Sequence, residues 1–367
     1  MPNVISQSLK FIQRNPSLLL IFGGIALLRL AYCFMLPPYT TDLLRNLGYG
    51  KAFWLWGFQL YDLTPYDLSP WPVQFLWPNH HYPYPASTLL FFAGVASVSS
   101  AVWWGKLALT GLEAINSWLV YKTSGDRWLA LLYWANPISI WFVSREGQFE
   151  PYVAFWTLLA IYGLRHDRAW AYGAWGLAVQ AKLFPILLAP LFLARMAWRA
   201  PGTLSQQVAW GLASGLPSWL AMGWSDYLWR FLQPGYLPAY NPLTWTLTDT
   251  SLYPFFPFWL VLAHWIAGVV YLAFGLIAIR KTGRWLEFAA PLALVVLVKA
   301  NVIGQFWYFI LLPAFCLPIQ DQGWRRLFFA LSALMGIRSL YSIFIGLIGY
   351  QNPADAMVIV EMCFWGF

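Results

Sequence analysis

Asp42 closes the run Pro37-Pro-Tyr-Thr-Thr-Asp42, directly after an apolar stretch. A carboxylate held there is suited to take a proton from a hydroxyl nucleophile, the work of a general base. Aspartate also suits a helix N-cap, so the same residue could simply start the helix that follows. Lys182 in Ala-Lys-Leu-Phe-Pro185 and Lys299 in Val-Lys-Ala-Asn301 have apolar neighbours, where an ammonium needs a counter-anion. A lipid phosphate would serve, and so would an internal salt bridge to Glu150 or Glu146. His80 and His81 are adjacent and could hold a divalent metal, but no carboxylate or cysteine follows at ligand spacing, and interfacial packing is the alternative. The chain has no phosphate-cradling Gly-rich loop, which leaves a nucleotide site without support.

These residues must be positioned by apolar elements. Of 367 residues 60% are hydrophobic and 10% charged, far fewer charges than the roughly 25% of a soluble domain. Apolar runs near the ~20 residues needed to cross a bilayer core recur from Leu18 almost to the C-terminus. The pattern predicts an all-α, polytopic integral membrane protein with about eleven transmembrane helices, within a range of roughly ten to thirteen. Residues 1–367 read as one membrane-embedded domain. The net charge of +8 is spread along the chain and not massed as a nucleic-acid footprint would be. Lys10/Arg14, Lys122/Arg127, Arg165/Arg168, Arg195/Arg199, Arg280/Lys281/Arg284 and Arg325/Arg326 mark alternating loops as cytoplasmic, the N-terminus included. Stretch 1–35 has no small-residue cleavage site and reads as an uncleaved first span. Cys33, Cys316 and Cys363 lack paired spacing, so no disulfide framework is expected.

Sidedness then organises the chain. A first span at about 17–36 opens a long outer loop, 37–104, rich in Trp, Tyr and Pro. That loop is expected to carry interfacial helices, with 86–98 as an interfacial or re-entrant piece. Spans follow at about 103–122, 129–145 and 151–164. Between Arg168 and Arg195 a short out-and-back hairpin fits best, its tip near Lys182. A span at about 207–223 leads to a second outer loop, 224–256. A second hairpin has its tip at 299–305, and a last span lies near 328–348. On this map Asp42, Arg145, Glu146, Glu150, Lys182, Arg230 and Lys299 all fall at outer ends, which favours a shared polar cavity over separate snorkelling anchors.

The order and spacing of several short motifs resemble the PIG-M type mannosyltransferases, which add the first mannose in GPI-anchor synthesis. The elements are Tyr82-Pro-Tyr-Pro85, Gly105-Lys106, Asn136-Pro137, Ser144-Arg145-Glu-Gly-Gln148-Phe-Glu150, Lys182-Leu-Phe-Pro185, Gln305-Phe-Trp-Tyr308 and Leu312-Pro313. That family belongs to the GT-C superfamily, whose members take sugars from polyprenyl phosphates. The resemblance implies a GT-C-like fold and an inverting glycosyltransferase, with a polyprenyl- or dolichyl-phosphate sugar as donor and a lipid or glycan acceptor. It implies an outer or lumenal active site in a bacterial inner or ER membrane, with a small membrane partner subunit as a possible companion. Asp42 takes the catalytic position. Lys182, Arg230 and Lys299 become donor-phosphate ligands, and Arg145, Gln148, Glu150, Tyr82, Tyr84, Asn241 and Gln305 line the substrate and acceptor. The family usually carries an Asp-X-Asp pair, where this chain has Thr40 two residues before Asp42. That departure puts metal dependence in doubt and keeps open a non-catalytic subunit of the same fold. A lipid or solute transporter is the other alternative, although no internal repeat supports it.

Overall fold

The computed structural model describes residues 16–35, 41–65, 67–68, 81–197, 201–226, 258–300 and 306–349. Every regular element among them is helical, and no strand occurs among the described residues. In chain order the helices are α1 (Pro16–Phe34), α2 (Thr41–Trp56), α3 (Ala86–Val98), α4 (Val102–Ser124), α5 (Arg127–Trp134), α6 (Glu150–Arg165) and α7 (Trp170–Ala181). They continue with α8 (Ala189–Ala197), α9 (Pro201–Ser214), α10 (Leu216–Trp224), α11 (Phe258–Thr282), α12 (Trp285–Ala300) and α13 (Gln322–Gly349). Two helices, α1 and α11, contain stretches long and apolar enough to cross a bilayer. The other expected spans run through shorter or interrupted helices, or carry ionisable residues as α4 does with Lys106 and Glu113.

The interruptions have local causes. Gly125, at φ 69°, closes α4 in the left-handed conformation that glycine adopts without a Cβ penalty. Asp126 then caps α5 by accepting from the Trp128 amide at 2.9 Å. The expected span 129–145 breaks at Asn136-Pro137, because proline lacks the amide needed to continue the helix. The chain resumes as the turn Pro137–Ser139 and a π-helical segment, Ile140–Arg145. Asn136 Oδ1 takes the Ile138 amide at 3.1 Å, the donor that would otherwise have served the Trp134 carbonyl. Arg29 of α1 fills that acceptor instead, donating through Nη2 at 2.8 Å and Nε at 3.2 Å. Its guanidinium lies 4.4 Å over the Trp134 ring, with Ser139 and Ser144 hydroxyls each at 3.0 Å. A wholly buried arginine thus stitches α1 to the break.

The hairpin expected between Arg168 and Arg195 is present. α7 ends at Ala181, Lys182 is extended, and Phe184–Leu188 forms a 3₁₀ turn into α8. The two arms are joined by Tyr172 donating to the Phe192 carbonyl at 3.0 Å, and by Trp175 stacked on Phe192 at 4.8 Å. The second expected hairpin has α12 as its first arm. Its tip, 301–305, lies outside the described residues, and the return passes through Phe306–Leu311 and the short helix Leu312–Cys316. The stretch 86–98, expected as an interfacial or re-entrant piece, forms α3. α3 is mostly apolar and has no one-sided polar face, the pattern of a helix covered by its neighbours or by lipid. It is packed inside, with Ala86, Leu89, Phe92 and Ala93 buried and Thr88 donating to the Ala181 carbonyl at 3.0 Å. Gly50 of α2 permits this, since a Cβ there would lie 2.4 Å from the Phe92 carbonyl oxygen.

α6 relates the two ends of the molecule. Glu150 begins it among the candidate site residues. Arg165 ends it, about 22 Å away at 1.5 Å per residue, hydrogen-bonded to the Thr123 and Leu317 carbonyls. At that second end Asp126 also receives Arg326 at 2.8 Å and Gln322 at 3.1 Å. Among the described residues, Arg165, Arg195, Arg284 and Arg326 therefore lie at one end of α6 and the candidate site at the other.

Candidate functional site

Asp42 lies in the first turn of α2, where a carboxylate also suits the helix dipole. Its Oδ1 receives Arg45 Nη2 at 2.7 Å across one helical turn. Its Oδ2 lies 3.5 Å from Gln148 Nε2, a residue 106 positions away in sequence. With 29% of its side chain exposed, Asp42 is oriented yet reachable. Arg45 is almost fully covered. It also donates to the Tyr84 hydroxyl at 3.2 Å, and its guanidinium sits 5.3 Å from the Tyr84 ring centre.

Gly147 delivers Gln148 to Asp42. Its φ of 77° is in the left-handed region, and a Cβ there would meet Leu43 Cδ2 at 2.3 Å. No other residue type satisfies both conditions. The loop between the π-helical segment and α6 therefore seats directly on the residue after Asp42.

Beside this cluster stands a second pair. Lys182 Nζ donates to Glu150 Oε1 at 2.5 Å, with the Glu150 side chain fully covered and Lys182 13% exposed. The ammonium also lies 4.8 Å from the Phe149 ring centre and 4.3 Å from that of Tyr308, an arrangement favourable to a cation. Tyr84 meets Phe149 edge-on at 4.6 Å. One aromatic wall thus separates the Asp42–Arg45 pair from the Glu150–Lys182 pair. Glu150 Oε2 is buried and accepts no hydrogen bond from the described residues. Tyr49, Tyr61, Tyr82 and Tyr84 back the wall, with the Tyr49 and Tyr82 rings 4.8 Å apart and Tyr61 donating to the Tyr84 carbonyl at 2.9 Å.

The fold thus brings together Asp42, Tyr82, Tyr84, Gln148, Glu150 and Lys182. Lys182 pairs with Glu150 and not with Glu146. Arg145 stands apart from these pairs, its guanidinium 3.9 Å over the Trp141 ring. His80, Arg230, Asn241 and Gln305 lie outside the described residues, as does the side chain of Lys299, whose backbone belongs to α12. His81 Nδ1 is 3.3 Å from the Leu63 carbonyl oxygen. Among the described residues no group of three or more His, Cys, Asp or Glu could hold a metal.

Sequence reasoning missed Arg45, Arg29 and Glu113, and gave Lys106 no role beyond its place in the motif Gly105-Lys106. Arg45 stands three residues after Asp42, the spacing of neighbours on a helix face. Arg29, Lys106 and Glu113 are lone charges inside apolar runs, which marks a residue with an obligatory partner. Lys106 donates to the Met35 carbonyl at 2.6 Å, tying α4 to the chain just before Asp42, and Glu113 receives the Tyr133 hydroxyl at 3.3 Å.

No family model matches the chain, and neither a curated protein nor a solved structure does. The resemblance to PIG-M type enzymes rests on the motifs and their order.

Proposed function

We propose that the chain is a polytopic membrane glycosyltransferase of the GT-C type. It moves a sugar, mannose by resemblance, from a polyprenyl-phosphate donor to a hydroxyl of a lipid or glycan acceptor at the outer or lumenal face. The observation that carries the reading is the site around Asp42: a reachable carboxylate oriented from two sides, with a lysine and a buried carboxylate across one aromatic wall. Membrane embedding is supported by large apolar side chains left exposed along α1, α9, α10 and α11, among them Leu20, Leu27, Leu212, Trp224, Val269 and Leu276. A soluble surface does not carry such continuous apolar area.

In this reading Asp42 accepts the proton of the acceptor hydroxyl. That oxygen forms its bond to the anomeric carbon as the bond from carbon to phosphate oxygen breaks, with inversion and departure of the polyprenyl phosphate. Arg45 and Gln148 keep the Asp42 carboxylate aimed. Lys182 meets the charge growing on the leaving phosphate, sharing its ammonium with Glu150, whose second oxygen is left to receive a sugar or acceptor hydroxyl. Arg230 and Lys299 are assigned to the same phosphate by the resemblance.

The two internally satisfied ion pairs would equally suit a non-catalytic subunit of the same fold, and Asp42 discriminates between them. Replacing Asp42→Asn keeps the shape and one acceptor oxygen for Arg45 but removes the base. Transfer from a radiolabelled polyprenyl-phosphate mannose is expected to fall by about 10²- to 10⁴-fold, with the elution profile in detergent unchanged. Retained transfer would overturn the assignment.

A further inference from the structure

At the far end of α6 lies a cavity of about 390 Å³, between the ends of α6 and α8 and the turn from α11 to α12. Its walls combine apolar side chains, Leu164, Leu191 and Leu286, with the guanidinium groups of Arg165, Arg195 and Arg284. Glu287 is the one carboxylate in its lining, so positive charge dominates. Arg165 is held by the neutral Thr123 and Leu317 carbonyls, and shares with Arg284 the single carboxylate of the lining, Glu287. Arg284 donates to Gln320 Oε1 at 2.8 Å and lies 3.7 Å from Glu287 Oε1. Glu287 Oε2 is already taken by the Gln320 amide at 2.8 Å. Arg195 is exposed and has no ion-pair partner among the described residues.

Three arginines around an apolar hollow of this size suit a headgroup carrying one phosphate together with the first carbons of its chains. The volume falls within the roughly 300–1,000 Å³ of small-ligand sites but cannot hold two full acyl chains. Those would have to run out over bare hydrocarbon surface, and Leu193, on α8 two residues before Arg195, is exposed and apolar. A free anion would have no use for such walls.

We propose that this cavity binds the phosphate headgroup of an anionic membrane lipid, at the end of the molecule opposite Asp42. The proposal rests on the membrane reading and not on glycosyl transfer. The bound lipid would join the ends of α6 and α8 to the α11–α12 turn, three segments that otherwise meet around an open hollow.

The test is native mass spectrometry of the purified full chain released from detergent. Phosphatidylglycerol and phosphatidylcholine of identical acyl chains are the two probes, and glycerol 3-phosphate is the soluble competitor. Retention of phosphatidylglycerol over phosphatidylcholine is expected. It should fall by about tenfold in the pair Arg195→Gln with Arg284→Gln and persist in Arg195→Lys with Arg284→Lys. Arg165 is left in place because it ties helices together, and circular dichroism checks that each variant is folded. Equal retention of the two lipids, or unchanged retention in the glutamine pair, would overturn the proposal. Displacement by glycerol 3-phosphate at the lipid's own concentration would also overturn it, marking a soluble-anion site. Because transfer is not measured, a failure here leaves the reading of Asp42 where it stands.

Discussion

The Lys182–Glu150 pair is buried on the carboxylate side and nearly so on the lysine side, so neither charge can fall back on water if its partner is removed. Breaking such a pair costs about 3–5 kcal/mol, whereas replacing both members by apolar groups is often close to neutral. Lys182→Met alone is therefore expected to lower the denaturation midpoint sharply, and Lys182→Met with Glu150→Leu to recover most of the loss. Equal destabilisation by the single and the double variant would mean the pair is not coupled. These two residues were legible in sequence because isolated charges stand out against apolar neighbours. Their mutual choice was not, since 32 positions separate them and Glu146 was as good a candidate on paper. Arg45 was hidden in the opposite way: next to an obvious carboxylate it reads as a surface charge, and only tertiary packing against Tyr84 covers it.

At the scale of elements, two joints carry testable consequences. Gly147 combines a left-handed backbone with close packing on Leu43. Gly147→Ala should cost about 1–3 kcal/mol in strain and overpacking and draw Gln148 away from Asp42. Stability and transfer would then fall together, and a variant indistinguishable from wild type would refute the positioning role. The second joint is Asp126, which links the α4–α5 turn to α13. Burial alone would raise its pKa. Hydrogen bonds from Arg326, Gln322 and the Trp128 amide outweigh that and hold it below its ordinary 3.8. A carboxyl lowered by folding stabilises fully above its unfolded value, and that contribution is lost as pH falls through the folded value. Denaturation midpoints followed from about pH 6 to about pH 3 should thus fall less steeply in Asp126→Asn than in wild type; parallel curves would contradict the assignment. The hairpin turning at Lys182 was legible from the distance between its two basic flanks. The packing of α3 on α2 and α7 was not legible, because neither Gly50 nor Ala181 announces that contact in the sequence.

For the whole molecule, charge order along the chain was the most informative sequence signal. Basic loops that alternate with apolar runs do come together, as Arg165, Asp126 with Arg326, and the arginine-lined cavity all occupy the end of α6 opposite Glu150. Crossing number was less legible, because length and hydropathy identify α1 and α11 but do not tell a continuous span from one broken at Pro137 or Gly215. The buried Arg29 explains part of this: it is tolerated inside an apolar helix only because a break elsewhere supplies a carbonyl and two hydroxyls. In the proposed function this architecture transfers sugar from a lipid phosphate. The most direct measurement supplies purified wild-type chain, in lipid nanodiscs with a membrane-lipid extract as acceptor, with mannose radiolabelled either as polyprenyl phosphate or as the nucleoside diphosphate sugar. Labelled lipid or glycan product from the polyprenyl phosphate alone is predicted; product from the nucleotide sugar alone, or from neither donor, would contradict the account.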